Sequence, residues 1–231
     1  MAARTSFSKS VDLLMELLVG FGPGNDAVAN PWVDEVPGFD RKGAATQRVH
    51  NLRVYLELHR HARWMLVGQE AGYAGCRFSG IPFTSEDMLE GPSVHPVFAR
   101  RGLARTSTFG KPIRERSASI VWPVIGADRI AVLWNSFPFH CHELGKPLTN
   151  RAWKPSDDRD GLAEKLLRHV VDNVFPSVRL IAVGRKAEAT LGALGYEAIA
   201  VRHPSQGGAT IFRNQMAGLL GAPASRPGHT G

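Results

Sequence analysis

The stretch Trp64-Met65-Leu66-Val67-Gly68-Gln69-Glu70 sets a short apolar run directly before two polar side chains. Four apolar residues are too few for a helix, and runs of this kind are typical of buried strands. Three other stretches share this pattern, namely Ile130 to Trp134, Leu180 to Val183 and Ala198 to Val201. We therefore predict four β-strands.

Apolar residues between these runs recur at helical spacing. They form three stripes: Val11, Leu14, Leu17 and Leu18; Val49, Leu52 and Leu56; and Leu162, Leu166, Val170 and Val174. A further helix is predicted from Ala209 to Leu220. Strands that alternate with helices and are buried on both faces form a parallel sheet covered by helices. The predicted fold class is α/β, a three-layer α/β/α arrangement around a central four-stranded parallel sheet.

The chain has 231 residues, of which 43% are hydrophobic and 21% charged, an ordinary globular composition. We predict a single domain over residues 1–221 and a disordered tail over residues 222–231. Two segments rich in Gly, Pro and charge, residues 21–45 and 84–116, are predicted to be surface loops.

Several classes of protein are excluded by what the sequence lacks. Its longest apolar stretches, such as Leu13 to Phe21 with Glu16 inside it, fall short of the roughly 18 to 20 residues of a membrane span. The first residues show no export signal, so we expect a soluble, cytoplasmic protein without a membrane partner. Neither a Gly-x-Ser-x-Gly motif nor a Walker loop is present.

Metal chemistry is also not expected. With only Cys76 and Cys141, one chain cannot build a four-thiolate zinc or iron–sulfur site. The run His140-Cys141-His142-Glu143 holds ligand types, but its spacing is tighter than that of known zinc sites. We predict no metal and no cofactor.

The charge balance favours a polyanionic partner. The sequence has 28 Lys plus Arg against 21 Asp plus Glu, a net charge of +7. Residues 100–116 contribute six basic residues and one acid, Glu115, a local +5. Nucleic acid is one candidate partner; a merely basic enzyme is the alternative.

Polar residues follow the predicted strands, where ligands bind in an open parallel sheet. Glu70, Asn135 and His203 all lie at this edge. Each has a structural explanation when taken alone: a helix cap, a turn or a buried imidazole. Their common location instead favours a shared site.

Three ordered motifs resemble the uracil-DNA glycosylase superfamily. They are Gly68-Gln69-Glu70 with Ser79-Gly80-Ile81-Pro82-Phe83, then Asn135, then His203-Pro204-Ser205. The resemblance spans residues 64–215. It mixes features of the common enzyme with those of the single-strand-selective and thermophilic-type branches, and points to a bacterial member without an iron–sulfur cluster.

The resemblance implies a monofunctional DNA glycosylase that flips uracil out of DNA and hydrolyses its N-glycosidic bond, leaving an abasic site. Glu70 would stabilise the sugar cation and orient water, and His203 would donate to uracil O2 as charge develops there. The flipped base would stack on an aromatic ring and be read along its polar edge. The substrate-binding residues are then Gln69, Tyr73, Phe83 and Asn135.

DNA contacts are expected from Ser205, Gln206, Gly207 and Arg213, which lie near the predicted start of the last helix, and from the arginines of residues 100–116. No lysine occupies a motif position, so no Schiff base is expected. No obligate protein partner is predicted, and the protein is expected to be a monomer.

The sequence departs from the family pattern at three places. Glu70 replaces a shorter aspartate. Ala71 and Gly72 replace Pro and the Tyr that excludes the methyl group of thymine, and Tyr73 is displaced by one residue. Gln206-Gly207-Gly208 replaces the intercalating leucine. Without this wedge, single-stranded or mismatched uracil is the favoured substrate. Ile211, Phe212 or a residue of the segment 84–116 is the candidate to act as a wedge instead.

Three other functions stay open at this point. The first is a weak or inactive nucleic-acid-binding protein on the same fold. The second is a glycosylase for other deaminated or 5-substituted bases. The third is an α/β hydrolase of small molecules such as nucleosides.

Overall fold

The computed structural model describes residues 2–22 and 24–221, with side chains from residue 6 onward. The predicted tail at 222–231 lies outside the described residues. Strands in chain order are β1 (Val28–Ala29), β2 (Trp64–Glu70), β3 (Ala131–Phe137), β4 (His140–Cys141), β5 (Arg179–Val183) and β6 (Ala198–Val201). Helices are α1 (Ala2–Gly20), α2 (Ala44–Leu58), α3 (Cys76–Ser79), α4 (Ala118–Ile125), α5 (Leu162–His169), α6 (Arg185–Ala193) and α7 (Ala209–Leu220). A π-helical turn over Val170–Val174 extends α5.

The central sheet has four parallel strands in the order β3-β2-β5-β6 and is flanked by helices. This confirms the predicted α/β fold class. The chain passes from β2 to β3 on one side, then to β5 and β6 on the other, so the order reverses between β2 and β5. Such a reversal opens a crevice at the carboxyl ends of the strands.

All four predicted strands are present, but two extend further than predicted. β2 runs through Glu70, and β3 runs through Phe137. Gly68 and Glu70 pair with Asn135 and Phe137, so residues expected just after the strands belong to the ladder itself. Nothing in the sequence indicates that these polar residues pair, because the register of β2 is set by the position of the neighbouring strand β3.

The prediction that residues 21–45 and 84–116 are surface loops is wrong for part of each segment, since both include buried residues. Trp32, Phe98 and Glu86 are almost fully buried. The first segment also pairs as β1 with β4 in a small antiparallel sheet. These segments supply their own hydrophobic residues and hydrogen-bonding partners, which their Gly and Pro content conceals.

A buried ion cluster joins the first of these segments to the helices beneath the site. Asp40 accepts hydrogen bonds from Arg48 on α2 at 2.8 Å and from Arg77 on α3 at 2.7 Å. These side chains are at most 1% exposed. The cluster holds α3, and with it the chain leading to Phe83, against α2. Among the described residues, no helix has the length and apolar character to cross a bilayer.

Candidate active site

The carboxyl ends of the four parallel strands surround a cleft of about 440 Å³. Volumes of this order are usual for small-molecule sites. Seven of the residues predicted from sequence line this cleft: Gln69, Glu70, Phe83, Asn135, His203, Ser205 and Gln206. Residues far apart in the chain therefore meet where the topology predicts a ligand.

Glu70 is the last residue of β2, and its side chain is half-buried. Among the described residues, its carboxylate accepts one hydrogen bond, a long one of 3.4 Å from the backbone N–H of Trp153 to Oε2. Burial raises the pKa of Glu70, while the Trp153 N–H and the charges of Lys186 and Arg151 oppose the rise. The carboxylate keeps most of its hydrogen-bonding capacity for a ligand or water.

The His203 ring is fixed by the loop between β6 and α7. The backbone N–H of Ser205 donates to Nδ1 at 3.1 Å, and the Ser205 hydroxyl lies 2.7 Å from the same nitrogen. A backbone N–H can only donate, so Nδ1 accepts and the proton of the neutral ring lies on Nε2. Burial lowers the pKa of His203, and Arg202 lowers it further. The ring is therefore a neutral Nε2–H donor near pH 7.

Two glycines make room for this histidine. A side chain on Gly184, whose φ is +92°, would lie 3.1 Å from the His203 Cβ. On Gly208 a Cβ would lie 2.1 Å from the His203 carbonyl oxygen. Gly208, which is part of the motif predicted to lack an intercalating wedge, thus also allows the loop to fold tightly around the imidazole.

Phe83 occupies a strained backbone position beside the cleft. Its φ is +52°, a region that bulky residues rarely adopt. The Trp122 indole N–H holds this turn by donating to the Phe83 carbonyl at 3.0 Å. The ring edge lies so close to Gly68 that any Cβ there would approach it to 2.2 Å. Gly68 is therefore required for the aromatic ring to reach the floor of the cleft.

Asn135 presents an amide from β3 beside this ring. It is 3% exposed, and its Oδ1 lies 2.9 Å from the position that a Cβ on Gly68 would take. The next residue, Ser136, donates from Oγ to the Gln69 carbonyl at 3.0 Å, which ties β3 to β2 at this point. The ring of Phe83 and the amide of Asn135 thus meet over Gly68.

Not every predicted substrate residue lies in the cleft. Tyr73 is outside its lining, and its backbone N–H donates to Asn150 Oδ1 at 2.9 Å. Asn150 itself lines the cleft, so Tyr73 lies next to the site and its contact with the substrate stays a prediction. Gly207 and Arg213 are exposed and lie outside the lining, so their contacts with DNA stay predictions.

The cleft also contains residues that the sequence analysis assigned no role. Arg185, Lys186 and Arg202 line it and are exposed, adding positive charge at its rim. Their position in the sequence, just after β5 and β6, could have identified them as residues of the cleft. Within the segment predicted to contact phosphates, Arg105 is 7% exposed and donates to the Phe109 carbonyl, so burial removes it from that set.

Glu115 is the other cleft residue that was missed. The sequence shows it only as the single acid among six basic residues. Glu115 lines the cleft, and its carboxyl packs against Gly72 and Gly75 in the loop after β2. Burial raises the pKa of this carboxyl to about 7.

The run His140–Glu143 does not converge on an ion. The His140 ring bonds to the Thr149 carbonyl and the His142 ring to the Glu143 carbonyl, at 2.8 and 2.9 Å. In the described part of the chain, no group of three or more His, Cys, Asp or Glu side chains is arranged to hold a metal. Cys76 and Cys141 are buried and free.

The parallel sheet, its flanking helices and the polar cleft at the strand ends define an α/β protein with a binding cleft at the carboxyl edge of its sheet. The wild-type SMUG2 crystal structure from Pedobacter heparinus is similar, with a TM-score of 0.55 and 14% sequence identity. The match covers 92% of this chain and 97% of that one. No protein-family model and no curated protein matches the sequence.

Proposed function

We propose that this protein is a monofunctional DNA glycosylase that flips uracil out of DNA and hydrolyses its N-glycosidic bond. The observation that supports this most is the meeting of Glu70 and a neutral, Nε2-protonated His203 in one cleft with an aromatic ring and an amide. A dissociating glycosidic bond leaves positive charge on the sugar and negative charge on the base. The site offers an anion for the first and a hydrogen-bond donor for the second.

Base recognition uses Phe83 and Asn135 in this proposal. The flipped ring stacks on Phe83 while the Asn135 amide bonds to N3 and O4 of uracil. Cytosine presents an acceptor at N3 and a donor at N4, so it would leave the buried amide mispaired. A site built for hydrogen bonding rejects such near-isosteres strongly.

DNA binding is supported by charge at the cleft rim. Arg185, Lys186 and Arg202 line the cleft and are exposed. Every phosphate contact that forms steepens the loss of affinity with salt. This charge favours DNA over a free nucleoside as the substrate, and binding to an oligonucleotide should weaken progressively between low and high salt.

The strand preference follows from what lies beside the cleft. Gln206, with φ +51°, and Gly207 supply no apolar wedge, and the candidate Phe212 is excluded because it is fully buried. Ile211 is 51% exposed and is the remaining candidate on α7. Single-stranded and mismatched uracil, which cost least to unstack, are therefore the proposed substrates.

Lys186 bears on the mechanism because it lines the cleft, although it occupies no family motif position. It is exposed, unlike lysine nucleophiles that are activated by desolvation. We therefore propose simple hydrolysis with no covalent intermediate. Borohydride added during turnover should trap no protein–DNA complex, and a trapped complex that disappears in Lys186→Gln would contradict this.

The test is excision from one oligonucleotide sequence carrying uracil in single strands, in a U·G pair and in a U·A pair. We expect alkali-labile abasic sites, with single-stranded and U·G substrates cut at least as fast as U·A. No product from any substrate, together with salt-dependent DNA binding, would indicate the inactive binding protein instead. A marked preference for U·A would contradict the proposed strand preference.

A further inference from the structure

The hydrogen bond that reaches Glu70 comes from the chain that follows β4. Within the described residues, the backbone N–H of Trp153 is the one donor to this carboxylate, and it lies 3.4 Å from Oε2. Hydrogen bonds of catalytic groups are often long in a free enzyme and shorten in its complexes. The orientation of the Glu70 carboxylate therefore depends on where the Trp153 N–H is held.

The ring of Trp153 is anchored on the strand beside Glu70. It stacks on Phe137, with ring centroids 5.1 Å apart and planes 3° from parallel. Phe137 is fully buried and pairs with Glu70 in the ladder between β2 and β3. Offset-stacked aromatic rings at this spacing attract each other beyond the area that they bury. The stack thus holds Trp153 next to the residue to which its N–H donates.

Arg151 fixes the backbone on both sides of Trp153. Its guanidinium forms two parallel hydrogen bonds with Asp157, at 2.7 and 2.8 Å, and also donates to the His142 carbonyl at 3.0 Å. Asp157 in turn accepts from the Lys154 N–H at 2.7 Å. A bidentate pair between arginine and a carboxylate restricts geometry more than a single bond does. The chain around Trp153 therefore follows one path.

This path is not set by regular secondary structure. Residues 150–154 belong to no helix or strand. The ring stack and the bond between Arg151 and Asp157 hold them instead. A carboxylate that orients water and stabilises a sugar cation needs a fixed direction, and small displacements of catalytic groups lower rates strongly.

We propose that Trp153 is a positioning residue for base excision: its ring, stacked on Phe137, aims its backbone N–H at Oε2 of Glu70 and leaves Oε1 for the attacking water. The inference rests on the proposed function, in which Glu70 acts as an anion. Burial raises the pKa of Glu70, and the Trp153 N–H opposes this rise, so the same bond also favours the ionised form.

The test compares three substitutions of Trp153 in single-turnover excision of uracil from a single-stranded oligonucleotide. Trp153→Phe keeps both the stack and the N–H and should keep most of the wild-type rate. Trp153→Ala loses the ring, and Trp153→Pro loses the ring and the N–H. We expect the rate to fall about 10-fold in the alanine variant and about 100-fold in the proline variant, while the affinity for the oligonucleotide changes little.

Two controls separate positioning from distortion of the chain. Ala152→Pro introduces the same ring one residue earlier, where the N–H makes no hydrogen bond within the described residues, and it should retain most of the rate. Glu197→Gln removes an exposed carboxylate before β6, at the opposite edge of the sheet, and should leave the rate unchanged.

A double-mutant cycle shows whether Trp153 acts through Glu70. Once Glu70→Ala has removed the carboxylate, adding Trp153→Pro should lower the rate no further. A residue that only stabilises the fold would instead lower it again.

The pH dependence gives a readout that a loss of stability does not move. Removing the N–H raises the pKa of Glu70, so the acid limb of kcat/KM should lie at higher pH in Trp153→Pro than in Trp153→Ala. NMR of glutamate carboxyl carbons should show the same order without any substrate.

A wild-type rate in folded Trp153→Pro would overturn the inference and leave the glycosylase proposal intact. Equal losses in the proline variants at 152 and 153, an unmoved Glu70 titration, or a further loss on the Glu70→Ala background would do the same. If Trp153→Pro does not fold, the rate and titration of Trp153→Ala against Trp153→Phe decide in its place. If the wild type releases no uracil, the proposed function fails, and the positioning role fails with it whatever the NMR titration shows.

Discussion

The buried carboxylates beneath the cleft differ from those inside it in how completely they are hydrogen-bonded. Asp40 accepts four bonds, from Arg48, twice from Arg77, and from the Val36 N–H. Glu86 accepts from the backbone N–H groups of Thr106 and Ser107 and from the Ser107 hydroxyl. By contrast, Glu70 accepts one long bond, and Glu115 Oε2 accepts none.

This difference separates structural from functional acids within one protein. Saturated carboxylates fix the loops between β2 and α4, since breaking any one bond strands a buried charge. Unsaturated carboxylates lower stability, and they persist where a ligand can complete them. Substituting the first kind should therefore affect folding, and substituting the second kind should affect chemistry.

The largest expected effect is on folding, from Asp40→Ala. Removing this carboxylate leaves Arg48 and Arg77 buried without their shared anion, so the free energy of unfolding should fall by about 3 to 5 kcal/mol. Urea unfolding measures it. Asp12→Ala, which breaks the exposed ion pair with Arg53, is the matched control and should cost less than about 1 kcal/mol. Equal losses of stability in the two variants would show that the buried Asp40 cluster stabilises the fold no more than an exposed ion pair does.

A loss of catalysis comes next. Glu70→Gln and His203→Ala should each lower kcat for uracil excision by about 10²- to 10³-fold, since each removes a charge or donor that acts on the transition state. Both should unfold at denaturant concentrations closer to the wild type than Asp40→Ala does. Single-turnover excision by the two variants, with Glu197→Gln as control, provides the measurement. Unchanged excision in both would refute the site assignment.

The smallest effect is a pH-dependent gain of stability in Glu115→Gln. The folded pKa of about 7 exceeds the ordinary value of 4.5, so the folded protein holds a proton that the unfolded chain releases between these values. Wild-type stability from this group is therefore lost as pH rises toward 7. Relative to the wild type, the variant should gain about 2 to 3 kcal/mol on going from pH 4.5 to pH 8, since each unit of pKa difference corresponds to about 1.4 kcal/mol. A difference independent of pH, by urea unfolding, would show that Glu115 is not buried in this way.

The sheet was predictable because each of its strands contains an uninterrupted apolar run and the helices α1, α2 and α5 carry apolar stripes, so local pattern and burial coincide. Glu70, Asn135 and His203 were predictable for a related reason, since all three lie at or just beyond the ends of such runs. Tyr73 lies outside the cleft lining, and the sequence could not show this because the path of the loop after β2 depends on contacts with distant residues such as Asn150. The segment 84–116 was misjudged because its Gly, Pro and Arg content hides partners such as Ser107 that bury Glu86.

By itself, the sequence determined the order of the four parallel strands and of the helices α1, α2, α5 and α7, and it indicated that Glu70, Asn135 and His203 meet at the strand ends. Both depend on periodicity and on neighbours in the chain. Only the tertiary structure decided that the ring proton of neutral His203 lies on Nε2 and that the Phe83 ring packs over Gly68. It also decided that Glu115 lines the cleft and that its Oε2 atom accepts no hydrogen bond from the described residues. Those facts depend on contacts between distant segments, and burial changes the energy of a polar group only once the whole fold has removed it from water.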